Sequence, residues 1–276
     1  MPPRTVDPDT DPGAPLSRRD FVHRGARLAA LAAAGVPLAG APVACNLGPS
    51  APSGPGDAHL SASPPATPPA TPLAPGTYRF EGVPGREALL HVPASLAAGA
   101  LAPLAVSFHG AGGRAADWLA TLAPLADAAG LMLLVPQSQQ PTWDLVFGPF
   151  GADAAFVDAA LAWAFQRCRV DPARIAALGF SDGATCALGL GLTNGDLFSH
   201  VVAFSPGSLK TGPRRGRPRV FVSHGTEDRI LPITTTSRLI VPRLGAEGYD
   251  VTYREFAGGH VILASIATEA AGWLKG

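Results

Sequence analysis

Three features of the 276-residue sequence predict an α/β domain with a mainly parallel central sheet and helices on both faces. Beyond Gly76, short apolar runs alternate with longer stretches of helical character, the arrangement of buried parallel strands joined by crossover helices. The stretch Gly179-Phe180-Ser181-Asp182-Gly183 follows one of these runs and leads into a helix-forming one. A long segment rich in Pro, Ala, Ser and Thr separates this pattern from everything before it.

The chain divides at 1–45, 46–76 and 77–276. In the first part, Ser17-Arg18-Arg19-Asp20-Phe21-Val22 precedes an Ala/Leu-rich stretch from Leu28 to Ala44. Paired arginines before a moderately apolar segment resemble a twin-arginine export signal. Gly35, Pro37, Gly40 and Pro42 interrupt the apolar stretch and make it a poor permanent membrane span. Cys45, in Pro42-Val43-Ala44-Cys45, resembles a lipobox cysteine, although Pro42 stands where leucine is usual. Lipidation of Cys45 and plain cleavage near Ala41 or Ala44 both remain open. The expected location is outside the cytoplasm, periplasmic or at the cell surface, with a lipid at Cys45 as the membrane tether in the first case. Residues 46–76 hold almost no large apolar side chain, so they are expected to be a disordered linker, extended around Pro64-Pro65-Ala66-Thr67-Pro68-Pro69.

In the domain, strands are expected near Ala88 to Val92, Leu104 to His109, Met132 to Pro136, Ile175 to Phe180, Val201 to Phe204, Val220 to His224 and Val251 to Glu255. Helices are expected near Ala115 to Ala129, Ala152 to Cys168, Asp182 to Leu192, Thr234 to Gly248 and Val261 to Leu274. The 21 basic and 21 acidic residues cancel, so no nucleic-acid surface is expected. Arg214, Arg215, Arg217 and Arg219 read as a solvated loop. Cys45, Cys168 and Cys186 have no metal-ligand spacing, and neither a metal nor a cofactor is expected. Cys168 and Cys186 read as buried small apolar residues, with a disulfide between them left open.

The serine stretch carries the chemistry. A serine on a sharp strand-to-helix turn exposes its hydroxyl, and the crowded backbone needs small residues two positions to either side, here Gly179 and Gly183. A serine needs a general base oriented by a carboxylate. His260 is the base candidate, because no other histidine follows Asp228. Asp228, in the loop after the Val220 run, is the preferred acid, with Glu227, Asp250 and Glu255 as the alternatives. His109-Gly110-Ala111-Gly112-Gly113 follows an early strand, so the backbone amides of Ala111 and Asp182 are the candidate oxyanion donors. His109 and His224 read as structural.

These stretches, with Pro136-Gln137-Ser138, Leu231-Pro232 and Gly259-His260, resemble the α/β-hydrolase superfamily. Within it the likeness is to the phospholipase/carboxylesterase group and to secreted esterases of the polyhydroxybutyrate-depolymerase kind. The resemblance implies Ser181, Asp228 and His260 as a triad. It departs from dienelactone hydrolases, whose nucleophile is cysteine, and Ala184 replaces a glycine common in carboxylesterases. Only Ser205 to Pro218 separate two strands where related proteins carry a cap, so no cap domain is expected. The expected substrate is a small-molecule or polymeric ester or thioester. Trp143 is the candidate for an aromatic acyl pocket, together with Phe147 and Phe150, whereas Phe156, in an expected helix, reads as core packing; Asp144 is read as orienting the Trp143 loop. A serine peptidase of the same fold and a non-catalytic, surface-tethered binding protein are the rivals. The sequence leaves the oligomeric state open.

Overall fold

The computed structural model describes residues 58–97 and 99–276. Eight strands form one sheet in the order β1-β2-β4-β3-β5-β6-β7-β8. They are β1 (Gly76–Phe80), β2 (Ala88–Val92), β3 (Ala102–Phe108), β4 (Met132–Pro136), β5 (Val170–Phe180), β6 (His200–Phe204), β7 (Arg219–Gly225) and β8 (Val251–Phe256). β1 and β2 pair antiparallel with each other and β2 with β4, and every pairing from β4 to β8 is parallel. The helices are α1 (Ala115–Ala129), α2 (Asp144–Phe147), α3 (Ala152–Phe165), α4 (Asp182–Thr193), α5 (Ser237–Ala246) and α6 (Ala264–Trp273).

Burial explains the continuous apolar runs. Residues of β3, β4 and β6 are buried on both faces, so alternation of polar and apolar residues disappears. Ala176, Leu178 and Phe180 of β5 pack with Trp118 and Leu122 of α1 and Leu274 beyond α6. Ile175 and Ala177 face the other side, with Phe156 and Leu161 of α3 and Leu190 of α4. Farther along that side, Ala184 and Leu188 of α4 meet Val201, Val220 and Ile240. Helix α4 is central: every residue from Gly183 to Thr193 is buried.

Three expectations change. The hairpin strand β1 has no apolar run, because an edge strand buries only alternate residues, and Thr77 and Arg79 point to solvent. The helix expected from Thr234 is interrupted: a 3-10 turn (Ile233–Thr235) precedes α5, with Thr236 at φ −126°, ψ −101° between them. The largest correction concerns the linker, whose residues 46–57 lie outside the described residues with the whole of 1–45, Cys45 included. From Ala58 onward the segment packs on the domain instead of leaving it. Ala58 and Leu60 are buried, Leu73 donates its amide to the Arg167 carbonyl, and Asp158 accepts from the amides of Ser61 and Ala62. Its apolar content is low, but Ala58 and Leu60 join the core with Ala62 and Leu73 packed against it, and polar partners on the domain add to that anchoring.

Asn194, fully buried at the end of α4, is the centre of that attachment. Its Oδ1 accepts from the Leu60 amide at 2.8 Å, with His59 Nδ1 at 3.1 Å. Its Nδ2 donates to the carbonyls of Ala58 and Leu190, each at 2.9 Å. Asn194→Ala strands several buried backbone groups. A loss of about 2–4 kcal/mol in denaturant unfolding is expected, with faster proteolysis between 58 and 75; a variant that keeps wild-type stability and protection would contradict this anchoring role.

Candidate active site

Ser181 sits where β5 turns into α4. Its φ of 58° and ψ of −122° lie outside the regions open to most side chains. The turn is held by its amide donating to the Phe204 carbonyl at 2.9 Å and its carbonyl accepting from Ala184 and Thr185. Both flanking glycines are required by contact. A Cβ on Gly179 would collide with the Gly183 carbonyl, and one on Gly183 with the carbonyls of Phe108 and His109.

Asp228 follows β7 and His260 follows β8. Their loops touch backbone to backbone, since a Cβ on Gly225 would strike the carbonyls of Gly258 and Gly259. The Glu227 amide also donates to the Gly258 carbonyl at 2.9 Å. This contact brings His260 Nδ1 to 2.6 Å from Asp228 Oδ2, while His260 Nε2 lies 2.9 Å from Ser181 Oγ. An ionised carboxylate only accepts, so Nδ1 carries the hydrogen and Nε2 is left to accept from the serine hydroxyl. The Phe180 ring packs against the imidazole, 4.7 Å between centroids. Of the possible acids, the structure brings Asp228 to the histidine, whereas Asp250 pairs with Arg219 and Glu255 with Arg238.

The two amides named as oxyanion donors flank the serine. Gly110 packs on Ser181, with only 3.4 Å from a Cβ position on Gly110 to the serine Cβ. Gly112, at φ 67°, turns the chain immediately after Ala111. Asp182 is the first residue of α4, where the helix leaves its amides without intrahelical acceptors. Among the described residues no hydrogen-bond partner takes up the amide of Ala111 or of Asp182.

No family model matches the chain. A protein named "Putative esterase NocK", from Nocardia uniformis subsp. tsuyamanensis, is 30% identical over 240 residues, spanning 81% of this chain and 69% of that protein. The chain belongs to the α/β-hydrolase superfamily, among its esterases. The Bacillus cereus carboxylesterase superposes with a TM-score of 0.55 at 20% identity, covering 71% of this chain and 96% of that one. An acetyl xylan esterase from Aspergillus awamori gives a TM-score of 0.57 at 15% identity, covering 72% and 99%. At these identities the superpositions establish the fold.

The surroundings of the site in this α/β-hydrolase depart from expectation at Trp143. Its side chain is completely buried, edge-on to Phe108 at 5.0 Å, and its indole N–H donates to the His109 carbonyl at 2.8 Å. It therefore cannot line an acyl pocket. A tryptophan in a Pro/Thr loop reads as exposed, but a backbone carbonyl that accepts its N–H removes the cost of burying it. Phe150 is also buried, whereas Phe147 is 84% exposed. Asp144 does tie its loop down, through reciprocal bonds of 2.9 Å between Asp144 and Asp153, amide to carboxylate in each direction. A cavity of about 910 Å³ lies between the β1–β2 turn and the start of α3, lined by Glu81, Arg86, Glu87 and Gln139, without Ser181, Asp228 or His260. Residues 205–218 contain no helix, so nothing there forms a cap. Cys168 and Cys186 are free and buried, and burial pushes the Cys168 thiol up to about 11. No group of three His, Cys, Asp or Glu side chains able to hold a metal occurs among the described residues, nor is any helix there long and apolar enough to cross a membrane.

One neighbour of the acid was not legible in the sequence. His224, at the end of β7, is fully buried with Nε2 2.8 Å from the Leu231 carbonyl and 3.1 Å from Asp228 Oδ2, and Nδ1 2.6 Å from Ser237 Oγ. The spacing His224-x-x-x-Asp228 was the available signal. Asp228 Oδ1 accepts from the amides of Ile230 and Leu231, each at 2.9 Å. Burial raises the carboxyl, but these amides and the His260 imidazole outweigh it and hold Asp228 below its ordinary value. Gln137 and the Ser138 amide similarly surround Nε2 of His109, whose Nδ1 lies 2.8 Å from the Gly110 carbonyl.

Burial lowers His109, His200 and His224 below 6.5. A histidine lowered on folding contributes fully above 6.5, and that contribution is lost as pH falls through its folded value, because the unfolded chain binds the proton more tightly. Urea midpoints are therefore expected to fall between pH 7.5 and 5.5, and His224→Gln to flatten that slope. An unchanged slope in the variant would remove His224 from the account.

Proposed function

We propose that this protein is a serine carboxylic-ester hydrolase acting through Ser181, His260 and Asp228. The observation that carries the reading is the continuous hydrogen-bonded chain from Ser181 Oγ through His260 to Asp228 at the carboxyl end of the parallel sheet. His260 Nε2 takes the hydroxyl proton as Ser181 Oγ attacks the ester carbonyl carbon. The carbonyl oxygen gains negative charge opposite the amides of Ala111 and Asp182, with α4 adding its positive end. Collapse of the tetrahedral species expels the alcohol, which receives the proton from His260 and leaves an acyl-serine. Water then enters, gives a proton to the same nitrogen and attacks the acyl carbon; collapse breaks the bond to Ser181 Oγ, which takes the proton back from His260, and the acid is released. Asp228, kept ionised by the amides of Ile230 and Leu231 and by His260, stabilises the imidazolium and the tautomer that attack requires.

The lack of a helical cap between β6 and β7 supports an open site, suited to small esters or to a bulky or surface-bound one. The same chemistry serves thioesters. The export-like leader, and Cys45 at its end, support action outside the cytoplasm on such a substrate.

A p-nitrophenyl acetate, butyrate and decanoate series should show a burst of one p-nitrophenol per enzyme, absent from Ser181→Ala. Asp228→Asn should lower kcat on the order of 10⁴-fold. A fluorophosphonate probe should label Ser181 alone among the serines. Full activity in Ser181→Ala would sink the assignment, and labelling without turnover of any ester would point to a peptidase.

A further inference from the structure

Residues Pro141, Thr142 and Trp143 each make one hydrogen bond to the elements carrying the two oxyanion donors. The Pro141 carbonyl accepts the Gly112 amide at 2.6 Å. Thr142 Oγ1 donates to Asp182 Oδ2 at 2.7 Å, and Trp143 Nε1 to the His109 carbonyl at 2.8 Å. Thr142 and Trp143 are both buried; the Trp143 bond is shielded from water and the Thr142 bond partly so, whereas Pro141 and Gly112 are exposed.

Their combined effect follows from peptide planarity. The His109–Gly110 peptide is held by its oxygen on the Trp143 indole. The Gly110–Ala111 peptide is held by its oxygen, which accepts from the Gly113 amide at 3.0 Å and from His109 Nδ1 at 2.8 Å. The Ala111–Gly112 peptide is held by its N–H on Pro141. Three successive planes are therefore pinned, and the Ala111 N–H must point opposite to the pinned Gly110 oxygen. Thr142 adds a direct link to the residue that supplies the other donor.

We propose that Pro141-Thr142-Trp143 is a strap that sets the direction and separation of the two oxyanion donors, with Thr142 as a positioning residue acting through Asp182. The proposal rests on the esterase reading above. The strap matters only once charge develops on the carbonyl oxygen, so losing it should raise the barrier to reaction and leave ester binding alone.

The test is Thr142→Val, which keeps the shape and removes the donor, beside Thr142→Ser, which restores it. Thr142→Val should lower kcat on the order of 10- to 100-fold, less than loss of a whole donor, with KM within about twofold. Affinity for an alkyl boronic acid, which forms a tetrahedral adduct on Ser181, should fall in parallel, and Thr142→Ser should recover both. Asp182→Ala breaks the same bond from the other side, and the double variant should be no worse than the poorer single one; it also serves should Thr142→Val not fold. A kcat within about twofold of wild type in folded Thr142→Val or Asp182→Ala, or a change confined to KM, overturns the strap while leaving the esterase intact. A wild-type protein without Ser181-dependent turnover overturns both.

Discussion

The site depends on how closely the backbone is packed at the carboxyl end of the sheet. Gly183 lies so near the end of β3 that the Phe108 and His109 carbonyls occupy the space of a side chain, and Gly179 is closed off by Gly183 in the same way. This contact forces the turn at Ser181 into its positive-φ conformation, and that conformation lifts the hydroxyl away from the sheet. A second close approach, between Gly225 and the Gly258–Gly259 backbone, locks the two loops that carry Asp228 and His260. The short bonds between the three side chains are a consequence of these two backbone contacts, because flexible loops would not hold that geometry against the entropy of ordering them.

Three histidines near this edge show how surroundings divide one residue type among different tasks. His109 and His224 are enclosed, lowered by burial, and each faces a backbone carbonyl on one nitrogen. They work as neutral struts, one for the glycine loop after β3 and one for the acid. His260 lies at the opening, between a carboxylate and a hydroxyl. Its two partners differ in polarity, so its tautomer is determined and its free nitrogen is directed at the serine. Asp228 meets two of the three on a single oxygen, accepting from His260 at 2.6 Å with His224 Nε2 3.1 Å away.

The parts that were legible in the sequence are those governed by local rules. Buried parallel strands announce themselves as apolar runs, and α1 was readable to its ends because Ala115–Ala129 closes on Gly130 in a left-handed conformation. The elbow was readable because steric crowding leaves only glycine at fixed offsets. What stayed hidden involved partners far along the chain. Ala58 and Leu60 look like linker until Asn194, 134 residues past Leu60, takes their polar groups. Trp143 looks like a pocket wall until the His109 carbonyl, 34 residues before it, accepts its indole hydrogen.

By itself, then, the sequence determined the α/β architecture and the glycines that the turns demand. These follow from side-chain periodicity and backbone sterics, which act over a few residues. Only the tertiary structure decided that Asp228, among several nearby carboxylates, meets His260, that His224 lies beside it, and that residues 141–143 bond both to the glycine loop after β3 and to Asp182 at the start of α4. Those choices depend on distances between strands brought together by the sheet order, where neighbours such as β3 and β5 lie side by side although more than sixty residues separate Phe108 from Val170 in the sequence. No local pattern encodes such a distance, because it is set by the packing of the whole sheet and its helices.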